Sequence, residues 1–359
     1  MLNTFCSPCR RFLNTYLDES KPLPTRTCGG GTFEVPVVGV GCWSFGSRQG
    51  EYWGHQPQAL VADTVRAALD YGSAFFDTAE ALFDGRSETS LGDALSEAGD
   101  VAERAIISSK ILPSNCSPPG KVREHLVRSL ERLKVGSIFL YQVHWPLGSG
   151  SVAAVFAELA ELQREGKIVH IGVSNFGVKQ LTEALDTGAT IATNQVMYNL
   201  LSRSAEHEVM KWCAAHDVGI ICYSPLMQGL LTDEGSVDAL DAFRTRTRHF
   251  SGARYNSRHK EAGVEDLVHA TVDRIQAIAR REGRATHELA LAWCLTHPEV
   301  VCVIPGARNR EQLDSNMSVA FDPISDALRA ELDNETEALK DALGPHIDFF
   351  AGKRAQRSF

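Results

Sequence analysis

Eight short apolar runs set the frame for this chain. They fall at residues 37–41, 74–78, 105–109, 138–144, 168–174, 191–196, 219–224 and 300–305. Most are continuously apolar and rich in Val, Ile, Phe or Leu, as strands buried on both faces must be. Longer amphipathic stretches separate them. In one, Val122, Leu126, Leu130 and Leu133 share a face with Arg and Glu opposite, the period of a half-buried helix. Eight βα units in one chain predict an α/β fold, a closed (β/α)8 TIM barrel. An open doubly wound sheet is the competing architecture. It calls for a glycine fingerprint after the first strand, and Gly39-Val40-Gly41 is followed by Ser44 where the third glycine belongs, with no helix start. The run therefore reads as a strand with small residues.

The expected domain plan is an N-terminal tail over 1–32, poorly ordered, a barrel over 33–345 and a C-terminal tail over 346–359. Further helices are expected near 264–281, 286–296 and 324–343. Residues 232–263 form a long connection after the seventh strand, rich in Arg and His. A loop of that length is a lid, a clamp for an anionic group, or a solvated basic segment.

Composition narrows the function. Hydrophobic residues are 43 % of the chain, enough for a large core, and the formal net charge of -9 argues against nucleic acid or an anionic membrane as main partner. No apolar run approaches the ~18 residues of a membrane span. The nine cysteines are scattered, which suits reduced thiols and a cytoplasmic protein. Cys6-Ser-Pro-Cys9 has no second CxxC, so no metal site is read from it. The N-terminal tail leaves an organelle address open.

Barrels of this kind carry their chemistry at the C-terminal strand ends. There the sequence places Asp77, Lys110, His144, Ser174-Asn175, Gln195, Tyr223 and Gly306 to Arg308. A lone His or Asp at such a position is usually structural. Polar groups closing seven of the eight runs on one rim describe a convergent site.

These residues sit in longer motifs: Phe76-Asp77-Thr78-Ala79-Glu80, Ile107-Ser108-Ser109-Lys110, Gln142-Val143-His144-Trp145-Pro146, Gly172-Val173-Ser174-Asn175-Phe176, Asn194-Gln195, Tyr223-Ser224-Pro225-Leu226, and Ile304-Pro305-Gly306-Ala307-Arg308-Asn309 with Gln312 and Asn316. In that order they make the chain resemble the aldo-keto reductases, from about residue 35 to about 340. The resemblance implies hydride transfer between NADP(H) and a small carbonyl substrate. It implies that Ser174, Asn175 and Gln195 bind the nicotinamide carboxamide and that Tyr223 stacks on the ring. It places Ser224, Leu226 and Gly229 along the diphosphate, with Gly306 beside Arg308. Arg308 meets the 2′-phosphate, and Gln312 and Asn316 hold the adenine. A guanidinium fork suits a phosphate.

The family normally carries an Asp, Tyr, Lys and His tetrad. Asp77, Lys110 and His144 match three members. The tyrosine belongs in the stretch "DTAEALFDGRSE", where Leu82 stands in its place and Phe83 in that of the neighbouring glycine. A phenol protonates the oxygen on which charge develops, and losing one such donor costs about 100- to 1000-fold in rate. Three readings stay open. Tyr52, His144 or Lys110 substitutes as donor; the substrate does not need the phenol, as with an iminium or a non-redox reaction; or the protein binds NADP(H) as a sensor or regulatory subunit. The Leu82-Phe83 pair predicts a preference for apolar or aromatic substrates. Oligomeric state is not legible.

Overall fold

The computed structural model describes residues 22–72, 74–148, 152–239, 244–255, 257–352 and Ser358. Cys6, Cys9 and the candidate targeting segment lie outside the described residues. The expected barrel is present. Strands β3 (Val40–Gly41), β4 (Ala74–Asp77), β5 (Ala105–Ile111), β6 (Ile138–Val143), β7 (Ile168–Ser174), β8 (Ile191–Met197), β9 (Gly219–Tyr223) and β10 (Val300–Ile304) lie side by side in chain order, each parallel to the next. The seam between first and last closes through backbone bonds. Val303 N donates to Val37 O, Gly39 N to Val303 O and Gly41 N to Pro305 O, each at 2.9 Å.

The two glycines let this segment lie close to its neighbours on either side, β4 and β10. A Cβ at Gly39 would lie 2.9 Å from Phe75 O, and one at Gly41 only 2.7 Å from Ile304 O. The small residues after residue 38 thus serve close strand approach rather than a nucleotide fingerprint.

Side chains alternate across the barrel wall, as a closed sheet requires. Phe75, Leu140, Ala192, Ile221, Val301 and Cys302 form a cluster separate from the one that joins the strands to the helices. A hairpin packs into that inner cluster. Its strands are β1 (Thr25–Cys28) and β2 (Phe33–Pro36), and they bring Cys28, Phe33 and Val35. The tail boundary expected at residue 32 is therefore corrected: 25–28 is a paired strand, because Cys28 and its partner Phe33 bury against the barrel floor.

The helices follow the sequence pattern. The chain forms α1 (Gln58–Asp70), α2 (Arg86–Ala98), α3 (Lys121–Leu133), α4 (Val152–Arg164), α5 (Val178–Leu185) and α6 (Val209–Ala215). Then come α7 (Glu265–Glu282), α8 (Thr286–Leu295), α9 (Arg310–Ser318) and α10 (Asp326–Leu343). Val122, Leu126, Leu130 and Leu133 are buried on α3, as their spacing requires.

The basic connection after β9 splits by role. Arg248 is 2 % exposed and His249 fully buried, Arg254 pairs with Glu265, while Arg244, Arg246 and Arg258 line the large cavity at the rim. A simple solvated loop is excluded for Arg248 and His249. The C-terminal tail expected from 346 is corrected as well. Ile347 and Phe349 are buried, and Phe349 O accepts from Arg248 N at 2.8 Å.

Two outcomes test this account. Gly41→Ala is expected to lower stability by about 1–3 kcal/mol through overpacking at the seam; an unchanged urea midpoint would argue against a close-packed seam. The second concerns His249, which burial pushes down to about 4, while Leu201 O accepts from its Nε2. An unfolded histidine titrates near ~6.5. Between these values the unfolded chain binds more protons, so stability falls as pH drops below ~6.5 toward 4. Burial shifts His170, His287 and His297 in the same direction. His249→Gln should flatten this acid limb in chemical unfolding measured across pH.

Candidate active site

A cavity of about 890 Å³ opens at the C-terminal strand ends. It lies toward the large end of the ~300–1,000 Å³ typical of small-molecule sites. Its floor is a buried ion pair. Lys110, near the end of β5, donates from Nζ to Asp77 Oδ1 at the end of β4 and to Thr78 O at 2.8 Å. The two side chains are about 5 % exposed.

Asp77 is held from several strands. Its Oδ2 accepts from Ser108 Oγ on β5 at 2.9 Å, Gln195 Nε2 on β8 at 2.8 Å and Gln142 Nε2 on β6 at 3.4 Å. Gln142 also donates to Ser108 Oγ at 2.8 Å. Every polar atom of the pair that faces the barrel thus meets a partner, the condition under which a buried charge persists. His144 follows β6, its backbone N bonded to Ile111 O, and its side chain lines the same cavity.

Around this floor stand the residues the family pattern assigns to the cofactor. Ser174, Asn175, Gln195, Tyr223, Ser224, Leu226, Gly229, Gly306, Arg308, Gln312 and Asn316 all line the cavity, beside Asp77, Lys110 and His144. Asn175 has φ 62 and is tied down on both sides of its amide. Its Nδ2 donates to His144 O at 3.1 Å and to Ser174 Oγ at 3.0 Å, and Tyr223 OH donates to its Oδ1 at 2.9 Å. After β9 the chain turns through positive φ at Ser224, Met227, Gln228 and Gly229, which coils the backbone along the cavity edge. Asn309 caps α9 by accepting from Gln312 N at 2.9 Å, and Arg308 N donates to Gln312 Oε1 at 3.0 Å.

Among the described residues, the cavity-lining Ser44 Oγ and Trp53 Nε1 have no hydrogen-bond partner. An unmet buried donor costs about 1–3 kcal/mol. Such groups mark a surface that a polar ligand completes. With Arg244, Arg246, Arg258 and Arg308 on the walls, the donor set fits a phosphate-bearing dinucleotide.

Leu82 lines the cavity, reached by a turn in which Leu82 N bonds to Ala79 O at 3.1 Å. Phe83 does not line it. Its φ is 51, and Arg86 lies over its ring at 5.2 Å while donating to Phe83 O at 3.1 Å. The expectation that both residues make the pocket apolar is corrected to Leu82 alone, because the left-handed turn carries the Phe83 ring away.

Tyr52 packs against residues of the cavity wall. It is not among the cavity-lining residues. Its ring stacks on Trp43 at 4.7 Å, Arg246 lies over it at 4.8 Å, and its hydroxyl donates to Gln228 Oε1. The loop over 47–56 is turned this way by distant charges: Arg308 donates to Trp53 O and His55 O, and Arg86 to Gly46 O and Glu51. The Tyr52 phenol is thus engaged with Gln228, itself a residue of the cavity wall.

Sequence reasoning passed over Trp43, Trp53, Trp145 and Phe350, which supply the aromatic walls. Trp43 and Trp145 each follow a strand end by a residue or two, a signal that was available. Phe350 lies past the last helix and carried none.

The comparisons agree with this geometry. The aldo/keto reductase family model matches residues 37–335. The NADH-specific methylglyoxal reductase of Escherichia coli is 30 % identical over 86 % of this chain and 98 % of its own. A probable voltage-gated potassium channel subunit beta of Arabidopsis thaliana is 28 % identical, over 81 % and 89 %. The structure of the Klebsiella pneumoniae aldo/keto reductase in complex with NADP and acetate superposes with a TM-score of 0.67 at 25 % identity, covering 94 % of this chain and 99 % of that one. With its barrel, its rim of matched residues and a family match over most of its length, this chain belongs to the aldo/keto reductase family.

Proposed function

We propose that this protein is an NADP(H)-dependent oxidoreductase that reduces a carbonyl or imine with an atypical proton donor. The observation that carries the reading is the buried Asp77–Lys110 pair at the floor of a cavity lined by the whole family set of cofactor residues. A pure binding surface gives no reason to bury a salt bridge against the reacting end.

NADP(H), when bound, supplies the hydride chemistry. The chain's own residues do the rest. Ser174, Asn175 and Gln195 hold the carboxamide, and Tyr223 flanks the ring. The turn from Ser224 through Leu226 to Gly229 follows the diphosphate. Gly306 leaves room at the cavity edge, Gln312 and Asn316 take the adenine, and Arg308 takes the 2′-phosphate. Arg308 spends two N–H groups on loop carbonyls, and a guanidinium has five. The preference for NADP(H) rests on Arg308. A relative named NADH-specific makes this a real question, and equal affinity for both cofactors would withdraw it.

Proton delivery falls to Lys110 or His144 ahead of Tyr52, whose hydroxyl is engaged by Gln228. Lys110 uses two of its three N–H groups on Asp77 and Thr78 and lines the cavity. Leu82 is shorter than a tyrosine, so a substrate oxygen can approach this floor more closely. The apolar walls of Leu82, Trp43, Trp53, Trp145 and Phe350 suit an apolar or aromatic substrate. Equal turnover of sugar phosphates counts against that preference.

A second reading follows from Leu82 itself. Without the phenol, the protein binds NADP(H) in a sensor or regulatory role and turns over little; the Arabidopsis relative's name is consistent with such a role.

NADPH oxidation by wild type and Leu82→Tyr, against aldehydes, ketones and imines, separates the readings. Turnover by wild type, rising about 100-fold or more in Leu82→Tyr, is expected. Activity confined to Leu82→Tyr would favour the regulatory reading, and silence in both would sink the reductase. Lys110→Met is expected to abolish wild-type turnover and to cost about 3–5 kcal/mol, because it strands a buried carboxylate. Adding Asp77→Asn should recover much of that stability and none of the activity. Recovery of turnover would remove Lys110 from the chemistry.

A further inference from the structure

The segment after β9 and the chain beyond α10 meet at Arg248. Its guanidinium donates to Leu343 O at 3.1 Å, His346 O at 2.7 Å and Asp348 O at 3.4 Å. Its backbone N donates to Phe349 O at 2.8 Å, and its charge lies 5.5 Å from the centre of the buried Phe349 ring. His249 adds to the grip: its ring packs on Phe349 at 5.0 Å. One residue, through its side chain and its backbone N–H, thus clasps the backbone over residues 343–349.

The next residue, Phe350, lines the cavity and meets Trp145 edge to face at 6.2 Å. Trp145 directly follows His144. In the other direction, Arg246 lies two residues before Arg248, and Arg244 four. Both line the cavity, over the rings of Tyr52 and Trp53. Arg244 Nη1 stands 3.7 Å from where a Cβ on Gly229 would be, beside the turn assigned to the diphosphate. Further on, Ser358 Oγ donates to Asn175 O.

We infer that Arg248 is a positioning residue that links the cofactor side of the cavity to its substrate side, so that a dinucleotide held by Arg244 and Arg246 fixes Phe350 against Trp145. The wall that these two rings form together then receives the flat, apolar part of the substrate. A guanidinium suits this task where an ammonium does not. Its planar fork reaches several carbonyls at once, and its delocalised charge stacks on a ring. The inference rests on the NADP(H) reading above, and its test separates the two.

Amide hydrogen exchange on the full chain, with and without saturating NADP⁺, reads the link directly. Residues 25–36, at the far end of the barrel, report global stabilisation. In wild type, NADP⁺ is expected to slow exchange over 346–352 by at least about fivefold more than over 25–36. Arg248→Lys should bind NADP⁺ within about threefold of wild type and lose that extra protection. Its KM for an aromatic aldehyde should rise about tenfold with kcat within about twofold, since the wall is loosened and the floor untouched. NADP⁺ binding with no extra protection of 346–352 in wild type overturns the inference, whether or not Arg248→Lys folds. Equal extra protection in Arg248→Lys overturns it too. No NADP⁺ binding by wild type overturns the functional reading, and the link with it.

Discussion

The ion pair between Lys110 and Asp77 is the interaction on which the site depends. A carboxylate this deep is tolerable only with its lone pairs met, and the donors come from β5, β6 and β8 at once. Those strands therefore have to end in register with β4. Gln195 reaches Asp77 across the barrel interior, so the width of the barrel and the charge at its floor are set together. The seam at Gly39 and Gly41 brings β3 and β10 to the same circle. A looser seam moves β3, and with it Cys42, Trp43 and Ser44 on the cavity wall.

That dependence explains what was legible in the sequence. The eight apolar runs became the eight strands, because burial on both faces leaves little else for a Val- and Ile-rich segment. The polar residues that close them had to share one rim, since parallel strands all end on the same side. Asp77, Lys110, His144 and the cofactor set could then be placed without contacts. Even Gly39 and Gly41 were legible as small strand residues, though the need for them, a carbonyl under 3 Å away, is visible only in the closed barrel.

The misplacements have one cause. They fall where the decisive partner is far away in sequence. The setting of Tyr52 was not legible, because Arg308 and Arg86 hold the backbone of its loop and Gln228 takes its hydroxyl. The basic residues after β9 were an undivided charge cluster in the sequence. Burial divides them, with Arg248 spent on backbone carbonyls and Arg244 and Arg246 on aromatic faces and the cavity. Residues beyond α10 read as a tail because no periodicity survives in so short a stretch. Arg248 supplies the order that the stretch lacks by itself.

The turn before α2 shows how Leu82 comes to face the cavity. Phe83, Asp84 and Gly85 all have positive φ, at 51, 56 and 82. A left-handed residue with a Cβ costs roughly 1–2 kcal/mol, so Phe83 strains a turn that glycine would make freely. The turn forms nonetheless. Arg86 holds it, donating to Phe83 O and lying over the Phe83 ring, a contact worth about 0.5–1 kcal/mol at a partly exposed site. The same guanidinium reaches Gly46 O and Glu51, so the turn and the loop over 47–56 are braced together. Position 82 is thereby delivered to the cavity wall despite the strain beside it. The side chain presented there is apolar. Leucine at this position therefore offers the cavity no proton, while the buried Asp77–Lys110 pair at the floor stands complete without it.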